Sequence, residues 1–570
     1  MRRPISDNAE SDTPGPGNRV IEFIYSDIYH DIVSTGRIVM GKNTDTCRTE
    51  RGLITRTFVS LFLLSALHVS GCASLPTDVQ RTPTYTLEDT SDTKLHSIIQ
   101  PLVKAHPDKS GFHALSDGID AYAARLRLVK AAQKSIDVQY YIWHDDLTGR
   151  VLHNQLLAAA DRGVRVRMLL DDMDTAGKHE ELHIIDAHPN IEIRLYNPFA
   201  GRDSRMGDYL ADASRINHRM HNKTMTADDQ AAIFGGRNIG DEYFDASGHV
   251  GFSDLDALAI GPVVDEISRG FDLYWNSQWV YPLAAFKPDE PVTEEKIRGF
   301  RKQSDAYMEE ARSSKYAEAI RALDIAHMSS IAEFDYTWGR WVLVYDDPGK
   351  VEAKEVKEET HLAPVLKKAM DNAQNEIIIV SPYFVPGSNF TDYLVGLVDK
   401  GVRIRILTNS LAANDVPLVH AGYQRYREPL VSGGVELYEF KPIKKTVQEG
   451  EKVDKKWTGS SRASLHGKYF SFDQHYMFIG SFNLDARSVA LNTELGVYFE
   501  SPEYATLLAE TFDKSAMIKA YRVLLTDEGE LEWVTLKDGK QARLDVEPET
   551  GFWTRFSTDF LSIFVPESQL

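Results

Sequence analysis

The sequence predicts an α/β protein of two homologous domains packed face to face around one shared active site. Three observations predict this. The word His-x-Lys-x4-Asp occurs at His221, Lys223 and Asp228, and again at His466, Lys468 and Asp473. Each copy follows the same strand–helix–strand run: SIDVQYYIW (135–143) and LLAAADRGVRVRMLLDD (156–172), then EIIIVSPYFV (376–385) and YLVGLVDKGVRIRILTNS (393–410). The offset between copies is about 240 residues throughout, far beyond the ~20–50-residue period of a solenoid.

Residues 1–71 read as an N-terminal extension ending in an export signal. Arg48, Arg51 and Arg56 precede the apolar run FVSLFLLSAL (58–67), which is about half the ~20 residues that span a bilayer. Basic residues, a short apolar stretch and small residues make a secretory signal. The string VSGC (69–72) resembles the bacterial lipobox, which implies lipidation of Cys72. A short buried helix or an uncleaved anchor is the alternative. Met40 fits as the start better than Met1, with 1–39 an upstream extension or a segment that is simply removed. Ala73 stands where an aspartate would imply inner-membrane retention, so the resemblance implies a periplasm-facing anchor on the outer membrane.

Residues 72–110 are polar, with Pro76, Pro83, Pro101 and Pro107, and read as a tether. Residues 111–290 form the first domain and 361–545 the second. Between them, 291–360 is a charged connecting helical segment. The last stretch, 546–570, is amphipathic, with Trp553, Phe556, Phe560 and Ile563 near one helical face. That face either docks on the domain or lies in a membrane interface.

The chain's formal net charge of −20 argues against a protein built to grip nucleic acid, and no such partner is expected. Cys47 and Cys72 are its only cysteines, which excludes a disulfide framework and a cysteine-rich metal site. On a strand, residues i and i+2 share a face, so each His projects with its Lys. Asp228 and Asp473 fall at the hairpin turn and are expected to hold it. Gly235, Gly236 and Asn238, then Gly480, Ser481 and Asn483, follow; glycine allows close backbone approach to a ligand, and Asn238, Ser481 and Asn483 offer hydrogen bonds to phosphate-type oxygens. Asp254 and Glu494 are each expected to orient the histidine of their own copy. Brought together, one neutral histidine can attack phosphorus while the other, protonated, protonates the leaving alcohol. The lysines balance charge in the transition state. No metal or other cofactor is called for.

With those residues in view, the chain resembles the phospholipase D superfamily, and bacterial cardiolipin synthases of the C type in particular. The resemblance rests on both intact motifs and on VQYYIWHDDLTG (138–149), RMHNKTMTADD (219–229), GGRNIGDEYFD (235–245), FSDLDALAIGP (252–262), SPYFVPG (381–387), HAGYQRYR (420–427), LHGKYFSFD (465–473) and GSFNLDARSVALNTE (480–494), within about 110–570. It implies two phospholipase D-like α-β-α domains and a phosphohistidine intermediate. A phosphatidyl group would move onto phosphatidylglycerol, with phosphatidylethanolamine as donor, at a membrane surface. It implies His221 as nucleophile and His466 as acid/base, a choice that internal symmetry alone leaves open. His420 and Tyr423 orient a head group in this reading; in the alternative, His420 is a loop histidine. Water as acceptor would make a phospholipase D. A nuclease and a non-catalytic lipoprotein scaffold are the remaining alternatives.

Overall fold

The computed structural model describes residues 74–202, 205–247, 251–288, 290–314, 316–318, 320–321, 331–352, 356–357, 360–444 and 462–562. The export signal, Cys72 and Ile563 lie outside the described residues.

Each half builds one mixed sheet, and the two sheets correspond strand for strand near the motifs. In the first, Ser135–Tyr140, Arg165–Asp171 and Ile191–Tyr196 run parallel. The hairpin Thr224–Ala227 and Ala231–Gly235 adds antiparallel to Ser135–Tyr140, and Asp256–Ile260 follows it. In the second, Glu376–Val380, Arg403–Asn409 and Glu436–Phe440 run parallel. The hairpin Tyr469–Phe472 and Tyr476–Gly480 adds to Glu376–Val380, and Leu495–Glu500 follows. The central parallel strands are buried on both faces, as crossover helices require; Glu376–Val380 is almost wholly apolar, whereas Ser135–Tyr140 alternates apolar with polar residues. Those helices are capped by their own sequence: Asp117 accepts from the N–H groups of Ile119 and Asp120, and Asp146 from that of Gly149.

The arginines of the repeated strands do not both face solvent. Arg167 is buried and makes a two-pronged pair with Asp137, at 2.7 Å for each bond. Its counterpart Arg405 is buried 2.7 Å from Glu376. A charged side chain in such a strand is tolerated because it is paired.

Two expected boundaries are corrected. The stretch read as a tether is docked on the first half: the Thr84 carbonyl accepts from Arg167, the Thr82 carbonyl from Arg194, and Trp275 donates to the Thr84 hydroxyl. It continues into the helix Lys94–Ala105, which buries Leu95 and Ile99. The connecting segment begins as the expected charged helix, Glu294–Arg312. It ends as two edge strands, Thr337–Gly339 on the first sheet and Trp341–Tyr345 on the second. At the crossover, a Cβ on Gly339 would lie 1.9 Å from the Glu500 carbonyl oxygen, so glycine is required there.

The halves share a core. Phe112, Ala232, Phe234, Val263 and Ile267 of the first pack with Met477, Ile479, Val497 and Phe499 of the second. Phe112 and Phe499 stack at 4.2 Å between centroids. This apolar contact holds the two motif-bearing hairpins side by side.

Candidate active site

Each motif histidine sits just before its hairpin and is placed by the other half. The His221 N–H donates to the Thr493 carbonyl and the Thr493 N–H to that of Arg219, a short parallel bridge across the halves. The second half mirrors it: Arg462–Leu465 pairs in parallel with Gly251–Ser253, and the His466 N–H donates to the Ser253 carbonyl at 2.8 Å.

That exchange overturns the expected partnership of histidine and carboxylate. His221 Nδ1 lies 2.8 Å from Glu494, and His466 Nδ1 lies 2.6 Å from Asp254. Each carboxylate therefore serves the histidine of the opposite half. Sequence order suggested the nearer histidine; the crossed strands make the distant one the neighbour.

The two histidines are buried, 6% and 5% exposed, so only a small face of each is open to solvent. Burial, then Lys223 and Lys468, pushes His221 well below the ordinary imidazole range. Burial and Lys468 lower His466 to about 4, against the pull of Asp254. Burial raises Glu494 to about 7. Burial also opposes ionisation of Asp254, but His466 and Lys468 hold it below the usual carboxylate range. Lys223 and Lys468 are buried, which lowers them to about 7 and about 8. Lys223 donates to the His221 carbonyl, and Lys468 Nζ lies 3.2 Å from His466 Nε2.

Asp228 accepts from three backbone N–H groups, Gln133, Lys134 and Ser135. Asp473 does the same with Gln374, Asn375 and Glu376. Both lie at positive φ, +50° and +52°, in the hairpin turn. They tie that turn to the start of the neighbouring parallel strand and do not reach the histidine rings.

The structure redirects several other expectations. The Ser481 hydroxyl donates to Glu494 rather than facing a substrate. Asn238 accepts from the Ile142 N–H and donates to the Tyr243 hydroxyl. Asn483 is buried with its amide oxygen unsatisfied. Gly235, Gly236 and Gly480 make room for protein, not ligand: a Cβ on Gly236 would lie 2.2 Å from Asp254 Oδ1, and one on Gly480 2.5 Å from the Leu495 carbonyl. His420 is fully buried, 3.0 Å from Glu547, and Tyr423 donates to Glu439. Both belong to a polar network inside the second half, with Arg427 at its centre, and not to a head-group site.

Other positioning residues were not evident from sequence. Asp171 accepts from the Met220 N–H and pairs with Arg219, while Asn409 bonds both backbone groups of Leu465. Each thus clamps the residue before a histidine from the end of the same repeated strand. The available signal was the matched strand ends LLDD and LTNS. Tyr141 stands edge-on to His221 at 5.2 Å; Tyr243 and Tyr383 stand edge-on to His466 at 5.1 and 6.4 Å. Tyr383 also donates to the exposed Asp415.

Among the described residues, His144, Asp146 and Glu242 have a donor set that could hold a cation. His144 Nδ1 lies 3.1 Å from Glu242, and that bond raises the histidine above its ordinary value, so the group already closes on itself through a histidine–carboxylate contact.

Comparison with known proteins agrees with this geometry. The family described as "Cardiolipin synthase, PLD-like domain" matches residues 126–275 and again 366–516. Cardiolipin synthase C of Escherichia coli (strain K12) is 43% identical over 474 residues, 83% of this chain and 99% of that protein. Cardiolipin synthase B of the same strain is 26% identical over 399 residues, 70% and 78% of the two chains. The crystal structure of a phosphatidylserine synthase from Haemophilus influenzae Rd KW20 shares the fold, with a TM-score of 0.51 at 15% identity, covering 84% of this chain and all of that one.

Proposed function

We propose, from the premise that the chain belongs to the PLD-like cardiolipin synthase family and is a phosphatidyltransferase, that it makes cardiolipin through a phosphohistidine at His221. The observation that carries the assignment is the crossed pair of histidine–carboxylate contacts. His221, kept neutral by burial and with Nδ1–H directed at Glu494, attacks the donor phosphorus through Nε2. The phosphorus–oxygen bond to the head group breaks. His466 supplies the proton to the departing alkoxide. The ionised Asp254 beside it compensates the charge of an imidazolium, which favours His466 as the acid. Lys223 and Lys468 face the charge that develops on the phosphoryl oxygens. In the second step His466 takes a proton from a phosphatidylglycerol hydroxyl, whose oxygen attacks phosphorus. The phosphorus–nitrogen bond breaks and His221 is restored.

Phosphatidylethanolamine fits as donor on one further observation. Asp415, exposed beside Tyr383 on the His466 side, offers a carboxylate where an ammonium-bearing alcohol departs. Asp415→Asn is expected to raise KM for phosphatidylethanolamine about tenfold and to leave transfer between two phosphatidylglycerols unchanged.

The test of the reaction uses mixed micelles of both lipids with a chelator, read by mass spectrometry. Cardiolipin with released ethanolamine or glycerol, abolished in His221→Ala and His466→Ala, is the expected result. Phosphatidic acid alone would make water the acceptor and the protein a phospholipase D; no lipid product would contradict both. The export-signal reading belongs with this proposal: a mature N-terminus at Cys72 carrying diacylglycerol supports the lipid anchor, and an unmodified start at Met1 sinks it.

A further inference from the structure

We propose that the outward face of the C-terminal helix Phe552–Ser562 is a bilayer-docking surface that seats the rim of the active site on phospholipid. The inference rests on the reading that the substrates are bilayer lipids.

Phe552, Trp553 and Phe556 are 64%, 76% and 53% exposed, and their rings touch one another: Phe552 stacks on Phe556, and Trp553 meets both edge-on. Phe560, one turn further, is exposed as well. Nowhere else among the described residues do three exposed aromatic rings form a cluster. Exposed rings of this size favour water contact poorly and are disfavoured on a monomer without a use.

The helix is a fixed element rather than a loose tail. Thr558, on its other side, is buried. Its approach is pinned by Glu547, which His420 and Arg427 grip, and by Glu549, which accepts from the Tyr521 hydroxyl. The network that removes His420 from the head-group site thus acquires a role, holding the aromatic face outward.

The same network joins the helix to the reaction. Phe552–Ser562 packs on the short helix Pro417–Tyr423, which exposes Leu418. Two residues ahead of that helix is Asp415, which accepts from Tyr383, and the Tyr383 ring meets His466. One loop therefore connects the aromatic face to the rim of the site.

Two features favour lipid as the occupant. Phenylalanine and tryptophan clustered on one face of a short helix are the set that partitions into a bilayer interface. The face also lies beside the rim that has to meet the proposed lipid substrate, through Pro417–Tyr423 and Asp415.

The test uses the full chain with two readouts. Vesicles of phosphatidylcholine with brominated acyl chains should quench tryptophan fluorescence, and Trp553→Phe should remove most of that quenching even if the N-terminus also anchors the protein. In parallel, Phe552→Ser/Phe556→Ser should lose about tenfold activity on phosphatidylglycerol vesicles while keeping activity on a short-chain phosphatidylglycerol below its micelle concentration. Quenching that is unchanged in Trp553→Phe would overturn the proposal. So would equal loss of activity on both substrates, or a dimer in sedimentation velocity that the double variant dissolves, since then a second copy covers the face. A parent chain inactive on both substrates would sink the proposed reaction, and the quenching result would still decide the docking surface.

Discussion

His221 and His466 each direct Nδ1 at a carboxylate from the other half, and this fixes which nitrogen is free to react. Glu494→Gln and Asp254→Asn keep the shape but favour the wrong tautomer; each should lower kcat about 10²–10⁴-fold with KM nearly unchanged. The pH profile follows from the shifted groups. His466 binds a proton only below about 4, and Lys223 and Lys468 lose theirs near about 7 and about 8. His466 must carry its proton to act as the acid and the lysines theirs to face the phosphoryl charge, so kcat/KM of the free enzyme should fall as pH rises, first through about 4 and again through about 7–8. Stability has its own sign. The unfolded chain holds more protons on His466 between its ordinary value and about 4, so that contribution declines as pH falls through the window. The lysines, depressed by burial, oppose folding at neutral pH and oppose it less as pH rises. Lys223→Met should thus abolish turnover yet raise the thermal midpoint by a few degrees, which calorimetry would show. At this scale the sequence revealed the motif residues, because their spacing repeats. It did not reveal Asp171, Asn409 or Tyr383, whose roles depend on where strand ends meet.

The hairpin is held at its turn. Asp228→Ala removes the acceptor for three backbone N–H groups and leaves a non-glycine residue at φ +50°. Urea unfolding should show a loss of ~1–3 kcal/mol, smaller for Asp473→Ala because Asp473 is partly exposed. Asp228→Asn should recover part of it, since asparagine tolerates that backbone and still accepts. The glycine strings act between strands. Gly236→Ala should drive Asp254 off His466 and lower kcat although position 236 touches no histidine. The paired strand–helix–strand units were legible from hydrophobic periodicity. The strap at 82–86 was not, because most of its bonds are made by backbone groups that no side-chain pattern encodes. The edge strands Thr337–Gly339 and Trp341–Tyr345 are too short for a periodic signal and follow a helical stretch that masked them.

Across the whole molecule, duplication made the two-half architecture readable, and the shared core of Phe112, Phe234, Ile479 and Phe499 realises it. Face-to-face packing explains why each motif is incomplete alone: the carboxylate each histidine needs lies 273 residues away in one case and 212 in the other. The crossing itself was not legible, since sequence proximity favours the wrong pairing until the strands are seen to exchange. Net charge has a consequence at this scale as well. With −20 on the chain, binding to phosphatidylglycerol vesicles should strengthen from low to physiological salt, as screening relieves repulsion; sedimentation with vesicles would measure it. The most direct measurement of the central claim is capture of the intermediate. His466→Gln, mixed with phosphatidylglycerol labelled at phosphorus and quenched rapidly, should retain label in an acid-labile, alkali-stable linkage that maps to the peptide containing His221. Label on position 466 in a His221 variant instead, or no covalent label in either, would contradict the account.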